Sequence, residues 1–440
     1  EPEQLVLAAR LAGHLGGHKL SRWFMRHGRS VFPDHPAVSF YATYFGTQRE
    51  NPVDAFRDFE IRELDGLTYD DPKLQAHWLA TAAMSWGSVR QMTRAHRLLD
   101  DALALEVDTG YTLMAQAVVH FMEDQWERAL DCAERAWTLA PGRPATANTL
   151  GRILSRAGRV EEAANRLYGA AKEHESFGIA VEAIRYCMSM AEHAEGDEQT
   201  HWSDWAQELN HDLGARAPLA DRDTLRTLDF IRFDVAQFRQ DLGALESLSN
   251  EGATPFLRTL SADLVKATDK RRLLLPYTPL RQKHNTCLPT AIGAILTARG
   301  DAIDVDALVK QISFGGTASW RAMEWLKQQG YAAHPILLDR HVATTLLEAG
   351  HTFVFITSHL DNAHAMTAIG IDYAADCLLV HDPSGLRWLR YELAHLGDTE
   401  HPLGPEGILI TTPEDWESAR QLIDAENLDV AQAYTAYQQA

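Results

Sequence analysis

Small residues recur at a spacing of 34 through the first half of this chain. Ala95, Ala129 and Ala163 share one register, Ala102, Ala136 and Ala170 a second, and Ala83, Ala117 and Gly151 a third. A fixed period of this length marks a stacked array, in which each unit buries its apolar face only against its neighbours. From Glu1 to about Lys266 apolar residues return at three- and four-residue steps, with short Gly, Pro and Asp breaks between them. That pattern predicts helices throughout. Small side chains let two antiparallel helices approach, and Leu79, Trp86, Leu150, Leu154 and Leu167 fill the space between. Pro141 closes one unit after its second helix, because a proline ring clashes with the preceding turn and offers no N–H.

The stretch resembles tetratricopeptide repeats. The matching segment is Asp124-Gln125-Trp126-Glu127-Arg128-Ala129, with Ala136 and Pro141 following. The best repeats run over 76–109, 110–143 and 144–177. Less regular hairpins flank them, punctuated by Pro33, Pro36 and Asn51-Pro52 on one side and by Gly196 and Asn250-Glu251-Gly252 on the other. The resemblance implies an all-α solenoid over 1–268 whose concave surface binds a peptide or protein partner. A scaffold or dimer surface is the plainer reading. Trp23, Trp78, Trp86, Trp126 and Trp137 either line that groove or fill the core, and aromatics at helical spacing more often fill the core.

Charge and cysteine content narrow the function. Asp plus Glu number 61 against 41 Lys plus Arg, a formal charge of −20. Such a chain lacks the basic footprint that meets phosphates, so no nucleic-acid partner is expected. No run of ~18 apolar residues exists, so no membrane span is expected. The four cysteines stand apart at 132, 187, 287 and 377. A disulfide scaffold is not expected from them, and a reducing, cytoplasmic location fits. His359, His364 and Cys377 match no common zinc spacing, so no metal is expected. No cofactor is expected either, since no glycine-rich phosphate loop follows a predicted strand. The chain opens on Glu1 and ends inside a helical pattern, as a piece of a longer protein would.

Near residue 270 the pattern changes. Lys266, Asp269, Lys270, Arg271 and Arg272 form a charged cluster, followed by the extended, proline-interrupted run Leu273–Leu280. A second domain is expected over 269–412. Helices fit 287–299, 304–313, 318–329 and 341–349, and strands fit 331–338, 352–358, 364–372, 377–382 and 407–412. Helices come first and strands mostly follow, which is an α+β arrangement with an antiparallel sheet. Residues 413–440 read as a helical segment that begins a further hairpin.

Within this domain Cys287 stands at a predicted helix start, with Asn285 or Thr286 as its cap and Pro289 in the first turn. A helix N-terminus favours thiolate over thiol, and thiolate is the nucleophilic form. A thiolate needs a histidine partner, and that histidine needs an orienting acceptor. His364 opens a strand that turns at Tyr373-Ala374-Ala375-Asp376 and returns to Asp382, which makes His364 and Asp382 neighbours at one end of a hairpin. His381 points to the opposite face by alternation. Cys132, Cys187 and Cys377 read as structural.

Residues 273–412 look like the papain-like cysteine peptidases of family C39, and in particular the C39-like domains. In that family a glutamine precedes a cysteine at a helix start, a histidine follows on a strand, and an aspartate sits in an Asp-Pro step. The resemblance implies that Gln282 donates to an oxyanion, Cys287 is the nucleophile, His364 the base and Asp382 the orienting carboxylate. One position departs: the family has Cys-Gly-Pro, and this chain has Cys287-Leu288-Pro289. Leu288 is expected to narrow the space beside the thiol. Gly315-Gly316 and the His359–Ala363 loop are expected to face substrate. The implied activity is peptide cleavage, with substrate delivered by the array. The alternatives are another acyl transfer on the same residues, such as transglutaminase or amidase chemistry, and a catalytically degenerate protein-binding module, for which Leu288 is the main argument.

Overall fold

The 34-residue register is a register of burial. Ala83, Ala95, Ala117, Ala129, Ala136 and Ala163 are completely buried, and Ala102 and Ala170 nearly so. A Cβ placed on Gly151 would lie 3.0 Å from the Tyr186 ring and 3.3 Å from Leu167, so the helices there leave no room for a side chain. The computed structural model describes residues 1–49, 57, 69–252, 254–283, 285–358, 363–385, 387–396 and 407–439. It separates into two units, Glu1–Thr259 and Leu260–Ala440.

The first unit is a succession of helices: α1 (Pro2–His14), α2 (His18–Val31), α3 (Pro36–Arg49), α4 (Pro72–Ser88), α5 (Met92–Ala104), α6 (Thr109–Met122), α7 (Trp126–Leu139), α8 (Pro144–Arg156), α9 (Val160–Glu173), α10 (Phe177–His193), α11 (Gly196–Asp212), α12 (Arg222–Arg239) and α13 (Leu242–Glu251); α14 (Pro255–Lys266) crosses into the second. Three hairpins, α4–α5, α6–α7 and α8–α9, turn identically. Each has one residue in the left-handed region, Arg90 (φ 64°), Asp124 (φ 59°) and Gly158 (φ 76°), again 34 apart. In each the next amide closes back on the first helix: Gln91 to the Trp86 carbonyl at 3.0 Å, Gln125 to His120 at 3.0 Å and Arg159 to Leu154 at 2.9 Å. A left-handed residue is the usual way to stop an α-helix and reverse the chain. Trp78 and Trp86 are core residues, Trp126 and Trp137 are half-buried, and Trp23 is 51% exposed. Asn51-Pro52 lies outside the described residues.

The second unit is one sheet with helices on both faces. Its elements are β1 (Arg272–Leu274), α15 (Cys287–Ala298), α16 (Val305–Ile312), α17 (Ser319–Gln328), β2 (Ala332–Ile336), α18 (Arg340–Glu348), β3 (Phe353–Ser358), β4 (Ala363–Asp372), β5 (Cys377–His381), β6 (Trp388–Glu392), β7 (Gly407–Thr411), α19 (Pro413–Ala419) and α20 (Ala425–Gln439). Strand order is β2-β7-β3-β4-β5-β6, every pair antiparallel. One face carries Val354, Ile356, Ala365, Ile408 and Ile410 against α15, α16 and α17. The other carries Phe353, Phe355, Met366, Ala368, Ile371, Leu378 and Val380 against α18 and the segment that begins at α19. Asn427 on α20 both accepts from the Leu337 amide (2.9 Å) and donates to the Leu337 carbonyl (2.8 Å), which fixes that helix beside β2. Strand β6, with two charged residues in five, was not expected from the sequence. The chain is thus a tetratricopeptide-like helical array followed by an α+β, papain-like domain with an antiparallel sheet.

Two local features set the geometry of β4. Beyond the reach of β3, strand β1 pairs along the same strand, Leu274 opposite Gly370. The approach is close: a Cβ on Gly370 would stand 2.0 Å from the Leu273 carbonyl oxygen, so only glycine fits. At the adjoining position the β4–β5 register slips by one residue between Ala368 and Gly370, leaving Ile369 as a bulge. The freed Ile369 carbonyl accepts the Leu275 amide at 2.8 Å.

Candidate active site

After β1 the chain runs over β4 and β5 toward the helix that begins at Cys287. Tyr277 packs on Ile369, Leu379 and Trp388 and accepts the Trp388 indole N–H at 2.6 Å. The Leu280 carbonyl accepts from His381 at 3.2 Å, and the Gln282 amide donates to the Pro383 carbonyl at 2.9 Å. This track ties Gln282 to the Asp382-Pro383 step. His284 lies outside the described residues.

Helix α15 begins at Cys287 with Thr286 as its N-cap residue, but no side chain caps it. The expected cap is not made: the Thr286 hydroxyl donates backward to the Lys283 carbonyl at 3.0 Å, and Asn285 takes a left-handed turn (φ 53°). First-turn amides are therefore left to serve what lies at the helix start. Strand β5 leaves β4 after the Thr367–His381 pair. Beyond that point the Ala365 amide is directed at the Cys287 sulfur. Burial, the largest influence, pushes the Cys287 thiol up. The His364 hydrogen bond, the Ala365 amide, the His364 charge and the Leu288 amide together outweigh it, and the net shift is downward. The other three cysteines go the opposite way: burial raises Cys132, and it raises Cys187 and Cys377 to about 12.

His364 stands between the thiol and a carboxylate. Its Nε2 lies 2.7 Å from Asp382 Oδ1, which leaves Nδ1 for Cys287. Bonding to Asp382, then to Cys287, raises His364 to about 10 against the opposing effect of burial. Burial favours the neutral form of Asp382, but His364 and both the hydroxyl and amide of Ser384 overcome it and hold the carboxyl at about 2. Ser384 donates its amide (2.7 Å) and hydroxyl (2.7 and 2.8 Å) to Asp382, and the Gly385 amide closes the turn on the Asp382 carbonyl at 3.0 Å. Sequence reasoning missed Ser384. The signal was present in Asp382-Pro383-Ser384-Gly385, a turn whose first residue accepts from the amide two positions on.

Of the four residues singled out from sequence, Cys287, His364 and Asp382 form one chain of contacts. Gln282 is held by its backbone beside the Asp382 turn. His381 is buried and pairs with Thr367 on the face away from His364. Leu288 corrects an expectation: its side chain is 3% exposed and packs with Ala291, Ile292, Ile356 and Ala365 in the layer between α15 and the sheet. It fills core rather than the approach to the thiol. Gly315 (φ 68°) and Gly316 (φ 152°) follow α16 beside Phe314, which is 91% exposed. Of the His359–Ala363 loop, 359–362 lie outside the described residues.

A thiol at an uncapped helix start, an imidazole and a carboxylate on an antiparallel sheet define a papain-like class of domain. Residues 274–396 match the model of the Peptidase_C39 like family, so this part of the chain is similar to that family. Among solved structures, the crystal structure of yeast Tom70 is similar at 13% identity and a TM-score of 0.38, over 61% of this chain and 52% of that one. The chain thus spans about half the length of that Tom70 chain. No curated protein matches the sequence. Among the described residues no helix is long and apolar enough to cross a membrane.

Proposed function

We propose that the second domain is a cysteine peptidase and that the helical array binds its peptide or protein substrate, or a protein partner. The observation that carries the reading is the contrast among cysteines: Cys287 alone is drawn toward thiolate, and it is the one that contacts a histidine held by a carboxylate. In this reading Cys287 Sγ attacks the carbonyl carbon of a peptide bond while His364 is imidazolium. The Gln282 side-chain amide and the Cys287 backbone N–H stabilise the oxyanion, one such donor being worth about 3–4 kcal/mol. His364 then gives its Nδ1 proton to the departing amine as the C–N bond breaks. Water, deprotonated by the same imidazole, adds to the thioester and releases the acid, returning the thiolate and imidazolium. Asp382 keeps the ring oriented and compensates its charge. Unpaired cysteines at all four positions suit a reducing, cytoplasmic compartment.

The test is chemical. Iodoacetamide at about pH 6 discriminates thiolate from thiol. Labelling confined to Cys287 and lost in His364→Ala supports the reading, and slow, even labelling of all four cysteines rejects an activated thiol. A peptide library then separates hydrolysis from transfer: shortened peptides mean peptidase, and peptides of unchanged length with altered side chains mean acyl transfer.

A further inference from the structure

In the first unit, two helices of adjoining repeats bring three ligand-type side chains together. His96 lies on α5, His120 on the last turn of α6, and Glu123 three residues further, just before the left-handed turn at Asp124. Their donor atoms all lie within 4.8 Å of one another. Glu123 Oε2 is 2.7 Å from His96 Nε2 and 3.6 Å from His120 Nδ1, and the imidazole centroids are 5.2 Å apart. We propose that His96, His120 and Glu123 form a binding site for a divalent transition metal, with zinc as the probe whose preferences fit the donor set.

Two observations support this site. First, the repeat does not need these residues. One period on, the equivalent positions are Leu130, Leu154 and Ala157, all apolar, and one period before His120 stands Trp86. The array stacks the corresponding helices there with no polar side chain at any of the three positions, so the polar trio is an addition to the scaffold. Second, the His120 side chain is 9% exposed, and its Nδ1 faces the Glu123 carboxylate at 3.6 Å, just outside hydrogen-bond distance, with no closer partner among the described residues. A buried, unmatched imidazole nitrogen is costly unless something fills the position. Arg128 is the nearby charge that opposes a cation there.

Both separations to Glu123 need only small adjustment, and the two imidazole donors, within 4.8 Å of each other, close toward the same value. Donors around a tetrahedral zinc at about 2 Å stand about 3.3 Å apart. The His120–Glu123 separation is already close to that. The His96–Glu123 hydrogen bond opens by a fraction of an ångström as the metal replaces the shared proton, with His96 keeping its remaining proton on Nδ1. Two imidazoles and one carboxylate leave the fourth position to water or to a partner's side chain. Glu123 is 17% and His96 33% exposed, so a route from solvent exists.

The test uses the full chain carrying Cys287→Ser, because the thiolate–imidazole pair would itself take up zinc. Zinc is titrated against a competing chromophoric chelator, with and without His96→Gln or Glu123→Gln. The expected result is one zinc per chain and a higher melting temperature with zinc. Each variant should weaken binding by more than the roughly 10–100-fold that loss of an outer partner costs. His96 is a third exposed and Gln can keep a hydrogen bond to Glu123, so His96→Gln should melt close to the parent chain without metal. Zinc uptake unchanged in both variants, or no uptake by the Cys287→Ser chain at micromolar free zinc, overturns the assignment.

Discussion

Replacing Asp382 with asparagine keeps the shape of the group that holds His364 and removes its charge. The carboxyl is held at about 2 instead of 3.8 although it is mostly buried, a preference for the ionised form of about 2 kcal/mol. Part of that belongs to the two Ser384 donors, so the reciprocal stabilisation of the His364 imidazolium is smaller. Since 1.4 kcal/mol is tenfold, the thiolate–imidazolium population should fall by about 10- to 30-fold in Asp382→Asn. The assay is the iodoacetamide rate at Cys287 from acid to alkaline pH. Wild type should react at a pH below the ordinary thiol range, and the variant should need a higher pH for the same rate. At alkaline pH, where any thiol ionises, the two rates should converge. A folded Asp382→Asn protein that labels at the wild-type rate near pH 6 would refute the claim that the carboxylate supports the ion pair.

Gly370→Ala should cost about 1–3 kcal/mol, because its Cβ would meet the Leu273 carbonyl oxygen at 2.0 Å, and calorimetric melting should show the loss. Leu288→Gly restores the residue common in the C39 family. It removes a core side chain from a helix, so it should destabilise by roughly 2–5 kcal/mol and leave kcat/KM on small peptides no higher. Stability should also carry two pH signatures. The depressed Asp382 contributes stability that is complete above its ordinary 3.8 and lost as pH falls through about 2. The raised His364 contributes stability that is complete below 6.5 and lost as pH rises through about 10. Melting temperatures of wild type and His364→Gln measured against pH should therefore differ most between about pH 4 and 6.5 and converge at strongly alkaline pH.

Much of this molecule is local, and local order is legible in a sequence. A helix repeats every 3.6 residues and a hairpin array every 34, so the alanine registers locate the helices and their mutual packing before any contact is known. The expected helices of the second domain lie within a residue or two of those observed, since Gly300 and the apolar spacing mark their ends. Cys287 stands out for the same reason, a nucleophile-type residue at a helix start. Strand β6 escaped because Arg390 and Glu392 dilute its pattern, and Ser384 escaped because its role depends on the turn that Asp382 nucleates.

What tertiary structure decided is which residues face each other. With a regular hairpin from Asp372–Cys377 onward, Asp382 would oppose Thr367 and lie on the face opposite His364. The bulge at Ile369 shifts the register by one, so His381 takes the place opposite Thr367, and Asp382, one residue beyond the end of the ladder, turns to the face of His364. Side chains alternate with period two, so one inserted residue reverses every orientation beyond it. That bulge exists because β1 presses on Gly370 and Leu275 takes the freed Ile369 carbonyl, both contacts from a segment about a hundred residues away. The inward turn of Leu288 and the meeting of His96 with His120 and Glu123 are of the same kind. The sequence by itself determined the elements and the chemical types on offer; contacts between distant segments determined which of those types meet.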